Sequence, residues 1–270
     1  MAAVFQDWVG RSEVRRDLLA PAPLAGLAAL LDLPASPWRE TAPPLAHWLY
    51  FLPTAPQSEL GEDGHPKRGG FLPPIELPRR MWAGSRLTFH APLRVGSKIE
   101  RTSTIRSVTA KSGASGEMIF VTVAHEVRCD GMLAVSEEQD IVYRGASSGP
   151  AARPAPDQRA FANARAVTPD ETMLFRYSAL TFNAHRIHYD RGYAVNAEGY
   201  SGLVVQGPLI ATLLLQNWFR LGLPAPARFT FRAQAPLFDG KKATLCAAPD
   251  GDLWCCDHEG AAVMNARVDL

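Results

Sequence analysis

No apolar run in this sequence reaches the length of a membrane span. The most apolar stretch, Pro208 to Phe219, is far shorter than the roughly 20 residues a bilayer-crossing helix needs. Charge of one sign is equally scarce. Lys and Arg number 28 against 27 Asp and Glu, so no net field argues for nucleic acid or an anionic membrane as a partner. Any anionic ligand must then be held by local arginines. A cysteine framework is lacking too: Cys129, Cys246, Cys255 and Cys256 show no framework spacing, and the adjacent pair cannot bridge to itself without strain. The opening residues, Met1 to Glu13, carry acids and bases where a signal peptide needs an apolar core. Reduced thiols and the absence of an export signal give the expectation of a cytoplasmic protein.

What is present suffices for a core. At 270 residues and 47% apolar content the chain can form one large domain or two of ordinary size. The run Gly145 to Pro156 is polar and proline-rich and can neither pair as a sheet nor continue a helix. It is the expected linker, taken as 145–160, between halves 1–144 and 161–270. Each half carries a similar passage. Arg86 to Lys98 and Arg228 to Lys242 share Arg-x-Thr-Phe-x-Ala and then Pro-Leu-x-x-Gly-x-Lys. Strand-like runs follow in both, such as Ile119 to His125 and Thr244 to Ala248.

An apolar helical candidate precedes each passage. In the second half it is clear: Gly207, Pro208 at a first helical position, then Leu209 through Phe219, stopping near Gly222 and Pro224. In the first half the candidates are Val14 to Leu31 and Leu45 to Leu52, the latter hemmed in by Pro43, Pro44 and Pro53. The implied architecture is α+β, a central helix wrapped by an antiparallel sheet, made twice.

Chemistry concentrates between linker and helix. Asn183, His185, Arg186 and His188 place an amide, two imidazoles and a guanidinium within a short apolar-flanked segment. Plainer roles exist for some. Asp190 can cap the short helix Arg191 to Asn196, and either histidine can satisfy buried backbone groups. A metal reading also exists for His185 with His188 and for Cys255, Cys256 and His258, although neither cluster has a recognisable ligand spacing.

The run His188-Tyr-Asp-x-x-Tyr-Ala194, followed by Gly202-x-x-x-x-Gly207 entering the apolar helix, resembles the signature of MaoC-like hydratases and (R)-specific enoyl-CoA hydratases. Ser178 to Asp190, Leu203 to Leu209, Glu137 to Arg144, Asp63 to Pro74 and Arg79 to Gly84 are similar to the branch containing itaconyl-CoA and mesaconyl-C4-CoA hydratases. The resemblance spans both halves. It implies a double hot-dog fold forming a pseudo-dimer, with a degenerate first half shaping the acyl pocket and His188 as the catalytic histidine. Asn183 falls where the broader family carries a catalytic aspartate. An amide can orient water but cannot take its proton, so His188 would carry the acid and base work with Asn183 positioning.

Adding water to an enoyl thioester builds negative charge on the thioester oxygen. Gly207 opens the helix, where a backbone N–H and the helix dipole favour that charge, or serves only to start the helix. For a dicarboxylic acyl group Arg186 is the first candidate anchor, with Arg79, Arg80 and Arg86 behind it. His185, Tyr177 and Gln206 complete the candidate substrate contacts. Lys67 and Arg68, in the Gly64 to Gly70 loop, either hold CoA phosphates or belong to a plain surface loop.

The resemblance implies an acyl-CoA substrate, no metal or redox cofactor and a possible homodimer or higher homo-oligomer. A thioesterase is the nearest rival on this fold, but Pro208 to Phe219 offers no Asp or Glu to activate water. A dehydratase acting on acyl carrier protein and a silent acyl-CoA binder are the remaining alternatives.

Overall fold

The computed structural model describes residues 2–33, 37–113, 116–145, 155–157, 159 and 163–270. The chain divides into two compact units, Met1–Pro21 with Trp38–Ala151 and Ala22–Pro37 with Ala152–Leu270. Most of the expected linker lies outside the described residues. The segment Ala22–Pro37 comes from the first half of the chain yet packs within the second unit.

The first unit contains strands β1 (Ser12–Leu18), β2 (Arg79–Phe89), β3 (Lys98–Gly113), β4 (Gly116–Cys129) and β5 (Met132–Arg144). They pair antiparallel in the order β1-β3-β4-β5-β2. Ile105, Val108, Ile119, Val121, Val123, Ile141 and Tyr143 form one apolar cluster, with Ile75 packed among them. The helix expected over Val14 to Leu31 is corrected: Ser12–Leu18 is strand β1, and helix α1 occupies only Pro21–Leu30. Pro21 and Pro23 have no N–H to donate, which the first turn of a helix tolerates and its interior does not, so the helix cannot begin earlier and run through them. The helix expected over Leu45 to Leu52 shrinks to a single 3-10 turn, Ala46–Leu49. Left-handed Leu45 (φ 72°) and Phe51 (φ 56°) bracket it, and neighbouring prolines deny it further hydrogen bonds.

The second unit adds β6 (Arg165–Val167), α2 (Glu171–Thr181), α3 (Gly207–Arg220), β7 (Arg228–Ala233), β8 (Ala243–Ala247), β9 (Asp252–Cys256) and β10 (Ala262–Asp269). Its sheet runs β7-β10-β9-β8-β6, again antiparallel. α3 packs on β8, β9 and β10 and buries Leu209, Ile210, Leu213, Leu214, Leu215 and Trp218. Each such side chain contributes about 1.5–3 kcal/mol by leaving water. That burial explains why this helix is apolar nearly all round.

The internal repeat is structural. Ala42 N–H donates to Leu93 O (2.9 Å) and Val205 N–H to Leu237 O (2.8 Å), at matching places before the two passages' turns. Gly96 (φ 87°) and Gly240 (φ 68°) occupy those turns in the left-handed region, which a side chain would strain. The 3-10 turn of the first unit therefore stands where the second unit has α3. The fold is α+β and hot-dog, with two units in one chain.

Candidate active site

In the second unit, Asp170 caps α2 by accepting from Met173 N–H at 2.7 Å. At its far end Phe182 turns left-handed (φ 48°), and its N–H returns to Ser178 and Ala179 carbonyls. That reversal delivers Asn183 to the bend. Asn183 N–H donates to Ser178 O, and its Oδ1 accepts from His185 N–H at 3.1 Å. The amide oxygen thus fixes the turn into the 3-10 element Arg186–His188.

His188 is 8% exposed. Its Nδ1 lies 2.6 Å from Val204 O, and a carbonyl oxygen can only accept, so Nδ1 carries the hydrogen. In the neutral ring Nε2 is then the nitrogen without a hydrogen, the form a general base needs. Val204 N–H also donates to Ile187 O at 2.9 Å, so the Gly202 to Gly207 motif clamps the histidine from both sides. His185 is buried as well, edge-on to His188 with ring centroids 5.3 Å apart.

The motif is itself held. Asp239 Oδ1 accepts from Leu203 N–H at 2.8 Å, and Asp239 pairs with Arg191 at 2.5 Å. Arg191 also binds Glu171 at the start of α2. A Cβ added at Gly202 would meet Asp239 Oδ1 at 2.9 Å, so only glycine lets this carboxylate close over the motif. Asp239 and Arg191 were invisible to motif reasoning, although Asp239 precedes the repeat's turn glycine.

Gln206 is the residue before α3 and is 1% exposed. Its Nε2 donates to Leu174 O and Ser178 Oγ, both at 2.9 Å, which ties α3 to α2. Its Oε1 is buried without a partner among the described residues. Gly207 follows as the first residue of α3, where helical N–H groups have no carbonyl one turn back. Tyr177 is buried and hydrogen-bonded to Thr212, and burial pushes its phenol pKa up. It is placed as a brace between α2 and α3.

Other sequence candidates are engaged. Arg186 grips Asp190 (Nη2 at 2.7 Å, Nε at 3.1 Å) and lies 4.2 Å over the Tyr193 ring. Asp190 also accepts from Tyr193 N–H, so it is a cap as expected. In the first unit, Lys67 donates to Ser58 O, Arg68 to Ile75 O and Pro78 O, and Arg86 pairs with Glu138 and Asp140. Arg79 and Arg80 begin β2 opposite Arg144 and Tyr143. The four cysteines are buried free thiols. Cys255, Cys256 and His258 form no ligand group among the described residues.

A buried histidine held through Nδ1 by the motif that leads into α3, on a hot-dog fold, fits a hydratase or dehydratase of the MaoC-like type acting on an acyl thioester, and the comparisons with known proteins show that class. The family model for hydroxyacyl-thioester dehydratase type 2 matches residues 45–239, and the chain belongs to that family. It is 48% identical to a mesaconyl-C(4)-CoA hydratase of Chloroflexus aurantiacus, over all of this chain and 99% of the other. It is 29% identical to a mitochondrial hydroxyacyl-thioester dehydratase type 2 of Schizosaccharomyces pombe, across 89% and 91% of the two chains. HtdX of Mycobacterium tuberculosis shares the fold with a TM-score of 0.69 at 18% identity, over 96% of this chain and 99% of the other.

The cytoplasmic expectation is overturned by the Schizosaccharomyces pombe relative and by a hydroxyacyl-thioester dehydratase type 2 of Saccharomyces cerevisiae, 24% identical across 67% and 68% of the two chains, both of which are mitochondrial. Unpaired thiols and balanced charge carry no address. No helix among the described residues is long and apolar enough to cross a membrane.

Proposed function

We propose that this enzyme reversibly hydrates a short, branched dicarboxylic enoyl-CoA, mesaconyl-C4-CoA or itaconyl-CoA, to citramalyl-CoA. The observation that carries the reading is the clamped His188, whose Nδ1–H is committed to Val204 O, in a chain 48% identical end to end with a mesaconyl-C(4)-CoA hydratase. With mesaconyl-C4-CoA, His188 Nε2 takes a proton from water as its oxygen bonds to the β-carbon. The same nitrogen then returns a proton to the α-carbon, so one H and one OH are added and nothing is oxidised. Gly207 N–H and the start of α3 receive the charge that builds on the thioester oxygen between those steps. Asn183 holds the turn that aims His188, and Gln206 Oε1 offers a buried acceptor at the helix start. His185 packs against the catalytic ring and keeps bulk water from it. Coenzyme A is part of the substrate, and the mechanism calls on no other cofactor.

The absence of Asp and Glu from α3 disfavours hydrolysis. The test follows enoyl-thioester absorbance and thiol release together on itaconyl-CoA, mesaconyl-C4-CoA and crotonyl-CoA. Absorbance loss without thiol, fastest on a dicarboxylic substrate, is expected. Thiol release, or no reaction on all three, contradicts the proposal.

A further inference from the structure

Water carries two hydrogens into hydration, and His188 Nε2 takes one of them as the oxygen bonds to the β-carbon. The other stays on the oxygen and becomes the hydroxyl hydrogen of the product. Beside a buried imidazole that O–H needs an acceptor, or its desolvation weighs against the reaction. The sequence points to Asn183 for orienting water. Its Oδ1, however, accepts from His185 N–H at 3.1 Å and holds the turn.

Gln206 has an oxygen with no such commitment. Its side chain is buried, and both Nε2 hydrogens are engaged, by Leu174 O and Ser178 Oγ. A carbonyl oxygen only accepts, so the atom facing Leu174 O is the nitrogen and the amide cannot be turned over. Oε1 is fixed by that orientation, and it has no partner among the described residues. Trp254 Nε1 is the other buried side-chain atom of the second unit in that condition, and an indole N–H is a donor only. A brace between α2 and α3 uses the two donors alone. The unpaired oxygen destabilises the fold, and bracing gives no reason for it.

Its position ties that oxygen to the reacting atoms. Gln206 immediately precedes Gly207, the first residue of α3, and stands two residues after Val204, whose carbonyl holds His188 Nδ1 at 2.6 Å. Two residues span at most about 7 Å, so the anchor of the base, the amide and the oxyanion donor follow one another on one short stretch. That stretch is stiff. Leu203 N–H is held by Asp239, Val204 N–H by Ile187 O and Val205 N–H by Leu237 O. The start of this 14-residue helix favours negative charge, and beside it stands a buried acceptor for the hydrogen that His188 does not take.

We propose that Gln206 Oε1 accepts a hydrogen bond from the water that is added and, in the product, from the β-hydroxyl, an assignment that rests on His188 as the proposed base. In the reverse direction the same oxygen holds the hydroxyl while His188 protonates it as it leaves. Gln206 forms no covalent bond. It selects hydroxylated acyl thioesters over saturated ones.

The experiment measures inhibition of hydration by a hydroxylated ligand and by its saturated twin: citramalyl-CoA against methylsuccinyl-CoA, and racemic 3-hydroxybutyryl-CoA against butyryl-CoA. Full-length wild type is compared with Gln206→Met, Gln206→Glu and Ser178→Ala. Each thermal midpoint is recorded, and calorimetry supplies the binding constants of any protein too slow to assay. Wild type is expected to bind the hydroxylated member of at least one pair about tenfold more tightly. Gln206→Met, with neither donors nor acceptor, loses that preference while its affinity for the saturated ligand is unchanged. Gln206→Glu gives up the donors but keeps an acceptor, and it retains the preference despite a lower midpoint. Ser178→Ala removes one brace alone and retains it too. Equal binding within both pairs by wild type overturns the inference, as does a preference that survives in folded Gln206→Met or is lost equally in Ser178→Ala. If Gln206→Met does not fold, a preference missing from wild type or from Gln206→Glu overturns it. Wild type that hydrates no dicarboxylic thioester, yet shows a preference within the 3-hydroxybutyryl pair that depends on Gln206, sinks the proposed substrate and leaves the hydroxyl acceptor standing.

Discussion

Protonation at single residues sets how this protein responds to pH. Burial alone would raise the Glu137 pKa, but His47, His125 and Ser85 more than offset it and hold the carboxyl down at about 2 from its ordinary 4.5. A depressed carboxyl contributes stability above its unfolded pKa and loses it as pH falls toward the folded value. The expected contribution is about 3 kcal/mol near neutrality, lost progressively between pH 4.5 and 2. Urea unfolding of wild type and Glu137→Gln across that window checks this. The wild-type curve should fall more steeply with acid, and parallel curves would refute the role. At this scale the sequence was readable where a residue type has few uses. His188 and Gly207 stood out because an imidazole inside apolar neighbours and a glycine before a helix-starting proline are specific signals. The hold of Asp239 on Leu203 N–H was not legible, since an aspartate beside a turn glycine ordinarily serves its own turn and its reach to Leu203 is a tertiary fact.

Elements transmit the geometry to those residues. The Gly202 to Gly207 motif works as a rigid clamp because Asp239 holds Leu203 N–H while Val204 grips His188. Asp239→Ala leaves a buried N–H unpaired and releases Arg191, a loss of about 2–4 kcal/mol. Turnover should fall roughly tenfold as the histidine loses its aim, with Asp239→Asn partly restoring both. Unaltered kcat in a destabilised Asp239→Ala protein would show that the clamp does not reach the chemistry. α3 could be read from sequence because proline, an apolar run and a glycine stop coincide. β1 could not be separated from α1, as Leu18, Leu19 and Ala20 join the two apolar patterns and only pairing with β3 decides the boundary. The turn Ala46–Leu49 was overread as a helix, although the prolines that limit it are visible.

Across the whole molecule, each of two units carries one copy of the repeated passage. The second has a full apolar α3 and the hydratase motif, while the first has the short 3-10 turn Ala46–Leu49 at the corresponding place. The repeat was legible as Arg-x-Thr-Phe-x-Ala with a following turn glycine, because those residues serve the same strand and turn twice. That Ala22–Pro37 packs in the second unit was not legible, since nothing local records which sheet a helix covers.

All four thiols are buried. Burial lifts Cys246 to about 12 and Cys256 to about 11, far from thiolate chemistry at neutral pH. Native protein should show no fast reaction with a thiol reagent, and four thiols should titrate in denaturant. A fast-reacting thiol in the native state would contradict the packing. The same inertness keeps a thiol-release assay free of background.

The central claim is that His188, clamped by Val204, performs the proton transfers of hydration. The direct measurement is kcat of His188→Ala on mesaconyl-C4-CoA, with circular dichroism confirming the fold. A loss of about a hundredfold or more, the scale of a positioned acid or base, is the predicted result, and near-normal turnover by the folded variant would contradict it.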